Sequence, residues 1–157
     1  MCTPRDEPQI VHRAPFTVIG LLRHGRHEGD AIPAQWSALN ARRGEIVALG
    51  EVAYGVEGIP DPLTGEWDYL AGLEADPSAP IPAGMTRWDI PAQTYAVIRC
   101  SRETLRQEYA RLMGGWLPSS DYRRAAGPEF ERYGAEFDPR DAASPIQVFI
   151  PIEPRVV

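Results

Sequence analysis

Residues 93–100 read QTYAVIRC, and this short segment carries the clearest structural signal in the chain. Its β-branched and apolar residues predict a buried strand. Tyr95 and Val97 alternate with Ala96 and Ile98, so the two pairs are expected on opposite faces of a sheet. A helical pattern follows at once, which makes the segment the first strand of a strand–helix unit.

That helix is predicted from about residue 102, with Ser101 as its N-cap. Gly114 and Gly115 are expected to loosen or end it. The side chains that recur at helical spacing form one apolar and aromatic stripe: Leu105, Tyr109, Leu112, Met113 and Trp116. Two more strands are predicted after it, at 130–136 and at 146–153 (IQVFIPIE).

The first half of the chain repeats this order. Residues 16–23 (FTVIGLLR) predict a strand, residues 33–43 a helix, and residues 51–56 and 66–75 two further strands. A turn is predicted at 60–65, and a proline-rich connector at 76–84 separates the halves. We therefore predict an α+β fold of tandem β-α-β-β modules within one domain of residues 1–157. Repeat 1 spans about 9–76 and repeat 2 about 85–154, with a groove between them where a ligand binds.

Composition excludes several classes of protein. The chain has 157 residues, with 22 acidic and 16 basic side chains and a net charge of −6, which disfavours nucleic acid as a main partner. No segment approaches the roughly 20 apolar residues of a membrane span, and no secretory signal precedes the first strand. Cys2 and Cys100 are too few for a disulfide network, so a cytoplasmic location is expected. No metal site or cofactor is predicted, because His24, His27 and Glu28 lie in a polar, glycine-bearing loop.

Residues 130–133 (FERY) carry the strongest chemical signal. In a strand, Glu131 and Tyr133 share one face, and Phe130 and Arg132 the other. A carboxylate among aromatic rings can hold a lipophilic cation, or can act as a general acid or base on a neutral electrophile. Two simpler interpretations stay open: Glu131 forms a surface ion pair with Arg132 or another arginine, and the aromatic residues are core.

Several short motifs, taken in order, resemble the GyrI-like small-molecule-binding domain, the effector-binding domain of bacterial transcription activators. In the second half these are residues 91–97 (PAQTYAV), 116–122 (WLPSSDY) and 128–133 (PEFERY). In the first half they are residues 32–36 (IPAQW), 54–56 (YGV) and 69–74 (YLAGLE). The resemblance covers about residues 9–154. It implies two modules related by a pseudo-two-fold axis.

The resemblance also implies a set of site residues. The family pocket lies between the modules and has a central glutamate, which corresponds to Glu131. The aromatic residues expected around it are Tyr109, Trp116, Tyr133, Tyr95, Trp67 and Tyr69. Trp36 matches a family tryptophan on the first helix and is expected in the core or at the pocket rim.

For function, the resemblance implies a cytoplasmic bacterial protein that binds lipophilic compounds, in some cases cationic or electrophilic, as multidrug-binding domains do. Only about eight residues precede the first motif, so no helix-turn-helix and no direct DNA binding are expected. Two alternatives stay open. One is a hydrolase of cyclopropane-bearing electrophiles with Glu131 and Tyr109 as catalytic residues. The other is a gyrase-inhibitor-like protein that acts on a protein partner.

Overall fold

The computed structural model describes residues 7–156, and it confirms the α+β class. These residues form two compact units, one of residues 15–91 and one of residues 7–14 together with 92–156. They are called here the 15–91 unit and the 92–156 unit. The elements in chain order are β1 (Gln9–Arg13), β2 (Phe16–Gly25), α1 (Ala31–Arg42), β3 (Ala48–Glu57), β4 (Trp67–Ala75), β5 (Thr86–Ile90), β6 (Gln93–Cys100), α2 (Leu105–Arg111), α3 (Leu117–Ser119), β7 (Tyr122–Arg124), β8 (Glu129–Tyr133) and β9 (Ile146–Pro154).

The 15–91 unit has an antiparallel sheet with the strand order β3-β4-β2-β5. Helix α1 packs on this sheet through Leu39, which is fully buried, and through Gln35. The Gln35 amide donates to the backbone carbonyls of Leu21 (2.6 Å) and Tyr69 (2.8 Å), so it fastens the helix to β2 and β4. A buried amide that makes two hydrogen bonds offsets much of its desolvation cost.

The 92–156 unit has an antiparallel sheet in which β6 pairs with β1 on one side and β9 on the other. Strands β8 and β7 both pair with the second edge of β9. Ile98, Val148 and Glu131 are register partners across three neighbouring strands, so they share one face. The apolar core on this face is formed by Ala96, Ile98, Cys100, Leu112, Leu117, Ile146, Val148, Ile150 and Ile152.

Most predicted elements are confirmed. Strands are present at the segments predicted for β2, β3, β4, β6 and β9, and α1 begins two residues before its predicted start. Three short strands, β1, β5 and β7, were not predicted. Strand β1 belongs to the sheet of the 92–156 unit, where it pairs with β6.

Two predictions about the second helix and the strand after it were wrong, and a third is confirmed. The helix does not begin after Ser101, because Ser101 and Thr104 bond to each other in a turn and α2 starts at Leu105. The expectation that Gly114 and Gly115 loosen or end the helix is confirmed, since residues 112–116 form a π turn that leads into α3. Strand β8 ends at Tyr133 rather than at 136, and a turn closes from Gly134 to Phe137.

Candidate functional site

Strand β8 places two carboxylates and one phenol on the face of the sheet that carries α2. Glu131 is the register partner of the core residue Val148, and Glu129 and Tyr133 lie two positions to either side of it. Phe130 points to the opposite face. The predicted alternation of Glu131 and Tyr133 against Phe130 and Arg132 is therefore present in the fold.

Glu131 is half-buried, and it accepts a hydrogen bond from the Tyr133 hydroxyl. Tyr133 in turn packs edge-on against Phe137, with 4.8 Å between the ring centroids. Arg132 donates to the Gln147 side chain at 3.1 Å on the other side of the strand. Glu131 is therefore a carboxylate beside an aromatic pair, and the surface ion pair with Arg132 does not form.

The charge of Glu131 reaches the core of the unit. Burial, together with the smaller effects of the Glu131 and Glu108 carboxylates, raises the pKa of the Cys100 thiol to about 11. The Glu131 carboxylate therefore lies near enough to the core for its charge to act on the buried thiol.

Helix α2 and the π turn after it supply the aromatic side chains over this face. Tyr109 is partly buried against the apolar core, and its hydroxyl donates to Glu129 Oε1 at 2.8 Å. Trp116 also packs on this core and stacks on Tyr122, with 6.1 Å between ring centroids and an interplanar angle of 20°. The structure thus brings Tyr109, Trp116 and Tyr133 onto one apolar cluster in the unit that contains Glu131.

Tyr95 lies on the other face of the same sheet. It is fully buried, edge-on to Phe130 (5.1 Å) and Phe149 (5.7 Å). Its hydroxyl has no hydrogen-bond partner among the described residues. Burial raises the pKa of this hydroxyl, and the positive charge of Arg13 lowers it by a smaller amount. The fold therefore separates Tyr95 from the face that holds Glu131 and Tyr133.

Trp67 and Tyr69 lie in the 15–91 unit, in an aromatic cluster under α1. Tyr69 is 1% exposed, and its hydroxyl oxygen accepts the indole N–H of Trp36 at 2.9 Å. Trp67 stands edge-on to Tyr69 at 5.9 Å and contacts the His27 ring at 4.2 Å. Trp36 is half-buried. Whether any of these side chains contacts a ligand stays a prediction.

Two polar residues of the site were missed. Glu129 also accepts from Arg124 Nε at 3.3 Å, and its side chain is only 12% exposed. The predicted strand began at Phe130, one residue too late to include Glu129. The two-residue spacing from Glu129 to Glu131 would have placed both carboxylates on one face. Arg124 lies in β7, which has no sequence signal of its own.

Three other observations bear on what the described residues can bind. An open groove of about 500 Å³ runs beside α2, with Ile98 and Leu112 in its wall and Glu108 and Arg111 at α2. Within residues 7–156 no cluster of three or more His, Cys, Asp or Glu side chains is arranged to hold a metal ion. No helix in that part of the chain is long and apolar enough to cross a membrane.

Comparison with known proteins identifies the family. The transcriptional regulator BrlR of Pseudomonas aeruginosa is 32% identical over 149 residues, which cover 92% of this chain and 54% of BrlR. The chain thus spans about half the length of this curated relative. Among solved structures, SAV2435 bound to tetraphenylphosphonium has a TM-score of 0.73 at 19% identity and covers 94% of each chain.

A second solved structure is the integron cassette protein VCH_CASS2 from the mobile metagenome of Vibrio cholerae. It has a TM-score of 0.61 at 15% identity, over 94% of this chain and 96% of that chain. The family model for integron-associated effector-binding proteins (Cass2) matches residues 9–152, nearly the whole chain. The chain therefore belongs to the Cass2 family of GyrI-like effector-binding domains, to which its motifs pointed.

Proposed function

We propose that this protein binds a lipophilic cation on one face of the sheet in the 92–156 unit, with Glu131 as the charged anchor. This is the face that carries α2 and the Glu129, Glu131 and Tyr133 side chains of β8, and it is called here the β8–α2 face. The observation that carries the proposal is the position of the Glu131 carboxylate, half-buried beside the apolar cluster that holds Tyr133, Tyr109 and Trp116. The family description, an effector-binding protein, and the tetraphenylphosphonium in a structure of the same fold support it.

The physical reason lies in the balance of desolvation and attraction. A strongly hydrated ion loses too much hydration free energy on entering a half-buried site. A bulky cation with shielded charge loses less, and it gains apolar burial of about 25 cal/mol per Å². Each aromatic face adds roughly 0.5–2 kcal/mol of cation–π attraction. The combination favours aryl phosphonium and similar lipophilic cations over small hydrated ones.

Isothermal titration of the full chain with tetraphenylphosphonium tests this function. We expect the wild type to bind it more tightly than the neutral analogue triphenylphosphine oxide. Glu131→Gln should weaken binding of the cation by about tenfold or more while leaving the neutral compound nearly unaffected, because only the charge is lost. The matched control is Glu103→Gln, an exposed glutamate ahead of α2, which should behave as wild type.

Two results would contradict the proposal. One is wild-type protein that binds neither compound at millimolar concentration. The other is a Glu131→Gln variant that retains the wild-type preference for the cation.

We also propose that the two units arose by duplication. Each contains the order strand, helix, strand, strand: β2-α1-β3-β4 in one unit, and β6-α2-β8-β9 in the other. In both, the last strand of the series lies at the centre of the sheet, with the first strand on one side and the third on the other. The tandem repeat and its pseudo-two-fold symmetry stay predictions.

A further inference from the structure

The second carboxylate on the face, Glu129, differs from Glu131 in what it contacts. Tyr109 donates its hydroxyl hydrogen to Glu129 Oε1 at 2.8 Å, and Arg124 Nε lies 3.3 Å from the same oxygen. The three residues come from α2, β8 and β7, so this contact joins three separate elements of the unit. Glu129 and Arg124 are 12% and 27% exposed, which limits competition from water.

Arg124 is itself held in place. Its guanidinium donates to the backbone carbonyl of Ala125 and to that of Gly127 at 3.1 Å. Gly127 has a φ of +126°, a backbone conformation that favours glycine. The loop after β7 therefore wraps the guanidinium and keeps its charge beside Glu129.

The charges on the face are consequently unequal. Glu129 and Arg124 form a neutral pair, whereas Glu131 accepts from the neutral Tyr133 hydroxyl. Within residues 7–156, no cationic side chain forms an ion pair with Glu131. A ligand on this face meets one uncompensated negative charge instead of two.

The same contact fixes a ring. A tyrosine side chain has two rotatable bonds, and a hydrogen bond from its hydroxyl to a carboxylate that is only 12% exposed restricts both. The ring is then ordered before the ligand arrives, so less conformational entropy is lost on binding. A charge-assisted hydrogen bond is also stronger than a neutral one, which suits it to this role.

We propose that Glu129 is a positioning residue that holds the Tyr109 ring for the ligand, and that the site accepts a lipophilic monocation because Arg124 cancels the charge of Glu129. This inference rests on the function proposed above. Glu131 gives the charge preference, and Glu129 acts only through Tyr109.

The first arm of the test needs no ligand. Tyrosine labelled with ¹³C at Cζ gives one resonance per ring for the six tyrosines, and Tyr109→Phe assigns one of them. We expect Glu129→Gln to shift the Tyr109 resonance and Glu131→Gln to shift that of Tyr133 instead. A Tyr109 resonance that does not respond to Glu129→Gln would overturn the positioning role, whatever the protein binds.

The second arm measures dissociation constants for tetraphenylphosphonium, neutral triphenylphosphine oxide and an alkane-linked bis-phosphonium dication. Tyr109→Phe keeps the ring but removes the hydroxyl, and we expect roughly threefold to tenfold weaker binding of all three compounds. The double variant Glu129→Gln/Arg124→Gln removes a neutral pair, so its ratio of cation to neutral affinity should stay within about twofold of wild type. Arg124→Gln alone should shift the preference toward the dication.

The outcomes separate the two claims. Wild-type affinity in Tyr109→Phe would refute the positioning role. If the double variant loses the cation preference as fully as Glu131→Gln does, the ligand feels the charge of Glu129 and the monocation claim is wrong. If wild-type protein binds none of the compounds, the proposed function and the ligand claim both fail, and the tyrosine resonances still decide whether Glu129 holds Tyr109.

Discussion

Gly55 permits the tight packing of the aromatic cluster in the 15–91 unit. A Cβ built on Gly55 would lie 2.3 Å from the Tyr69 hydroxyl oxygen and 2.9 Å from its ring carbon Cζ. Tyr69 has no room to move, because its ring is buried and its hydroxyl oxygen already accepts the Trp36 indole N–H. Glycine at this position is therefore required by the close approach of the ring to strand β3.

We expect Gly55→Ala to lower the free energy of unfolding by about 1–3 kcal/mol, the usual cost of overpacking a core. Urea denaturation measures it. Gly50→Ala is the matched control in the same strand, because a Cβ there meets nothing within 4 Å. Equal stability of the two variants would mean that Tyr69 does not occupy the described position.

Cys100 reports on the charge of Glu131. With its pKa raised to about 11, only about one thiol in a thousand is ionised at pH 8, against roughly a quarter for an ordinary cysteine. In a Cys2→Ser background, we expect iodoacetamide to alkylate Cys100 at least about a hundredfold more slowly than an unfolded chain.

Glu131→Gln should accelerate this alkylation, since loss of a nearby negative charge lowers the pKa of the thiol. Glu103→Gln serves as the exposed control. An alkylation rate that is the same in Glu131→Gln and in Glu103→Gln would place Glu131 away from the core.

At the scale of elements, His24 joins the ends of β2 and β4. Its Nδ1 lies 2.7 Å from Asp68 Oδ1, its register partner, and its Nε2 lies 3.2 Å from Glu66 Oε2. The hydrogen bond with Asp68, followed by that with Glu66, raises the pKa of His24 above its ordinary value of 6.5. The charged imidazolium is therefore favoured in the folded state.

This raised pKa gives the stability a definite pH dependence. The contribution of His24 is fully present below its unfolded pKa and is lost as the pH rises through the higher folded pKa. We expect wild-type protein to exceed His24→Gln in unfolding free energy by more at about pH 5.5 than at about pH 8.5. Urea titrations of both proteins at each pH measure the difference in unfolding free energy. A difference that is larger at the higher pH would contradict a raised pKa for His24.

The elements differ in how well the sequence predicts them, for physical reasons. Strands β2, β6 and β9 are buried runs of β-branched residues, and such runs reveal themselves in sequence. The start of α2 was misplaced because Ser101, a good N-cap by type, bonds to Thr104 in a turn instead. Strands β1, β5 and β7 have three to five residues each, too few to establish a period.

The site was only partly predictable. Alternation along residues 130–133 placed Glu131 and Tyr133 on one face, and the helical stripe placed Tyr109 and Trp116 on one side of the helical segment that begins with α2. Sequence could not assign Arg124 to Glu129, since that contact depends on a loop turned by Gly127. The sequence also could not show that Tyr95 lies on the face opposite Glu131. Alternation along a strand separates its residues into two faces, but it does not reveal which face a helix covers.

At the scale of the whole molecule, family membership restricts the function but does not identify the ligand. Hydrolysis of a cyclopropane-bearing electrophile by Glu131 and Tyr109 stays a prediction, as does action on a protein partner such as gyrase. Both are separable from binding alone. Turnover would consume the electrophile and fail in Glu131→Gln, whereas gyrase inhibition would reduce supercoiling in the absence of any small ligand.

The absence of direct DNA binding and the cytoplasmic location also stay predictions. BrlR, which is about twice as long as the aligned region, is described as a transcriptional regulator, and that description belongs to the whole of BrlR. For this chain, the net charge of −6 remains the physical argument against nucleic acid as a partner.

A crystal structure of the full chain with tetraphenylphosphonium is the most direct test of a lipophilic-cation site at Glu131. We expect the phosphonium on the β8–α2 face, within roughly 6 Å of the Tyr109, Trp116 or Tyr133 ring centroid, and with Glu131 as the nearest carboxylate. A phosphonium bound instead in the groove between Glu108 and Ile98, or with its nearest carboxylate elsewhere, would contradict the account.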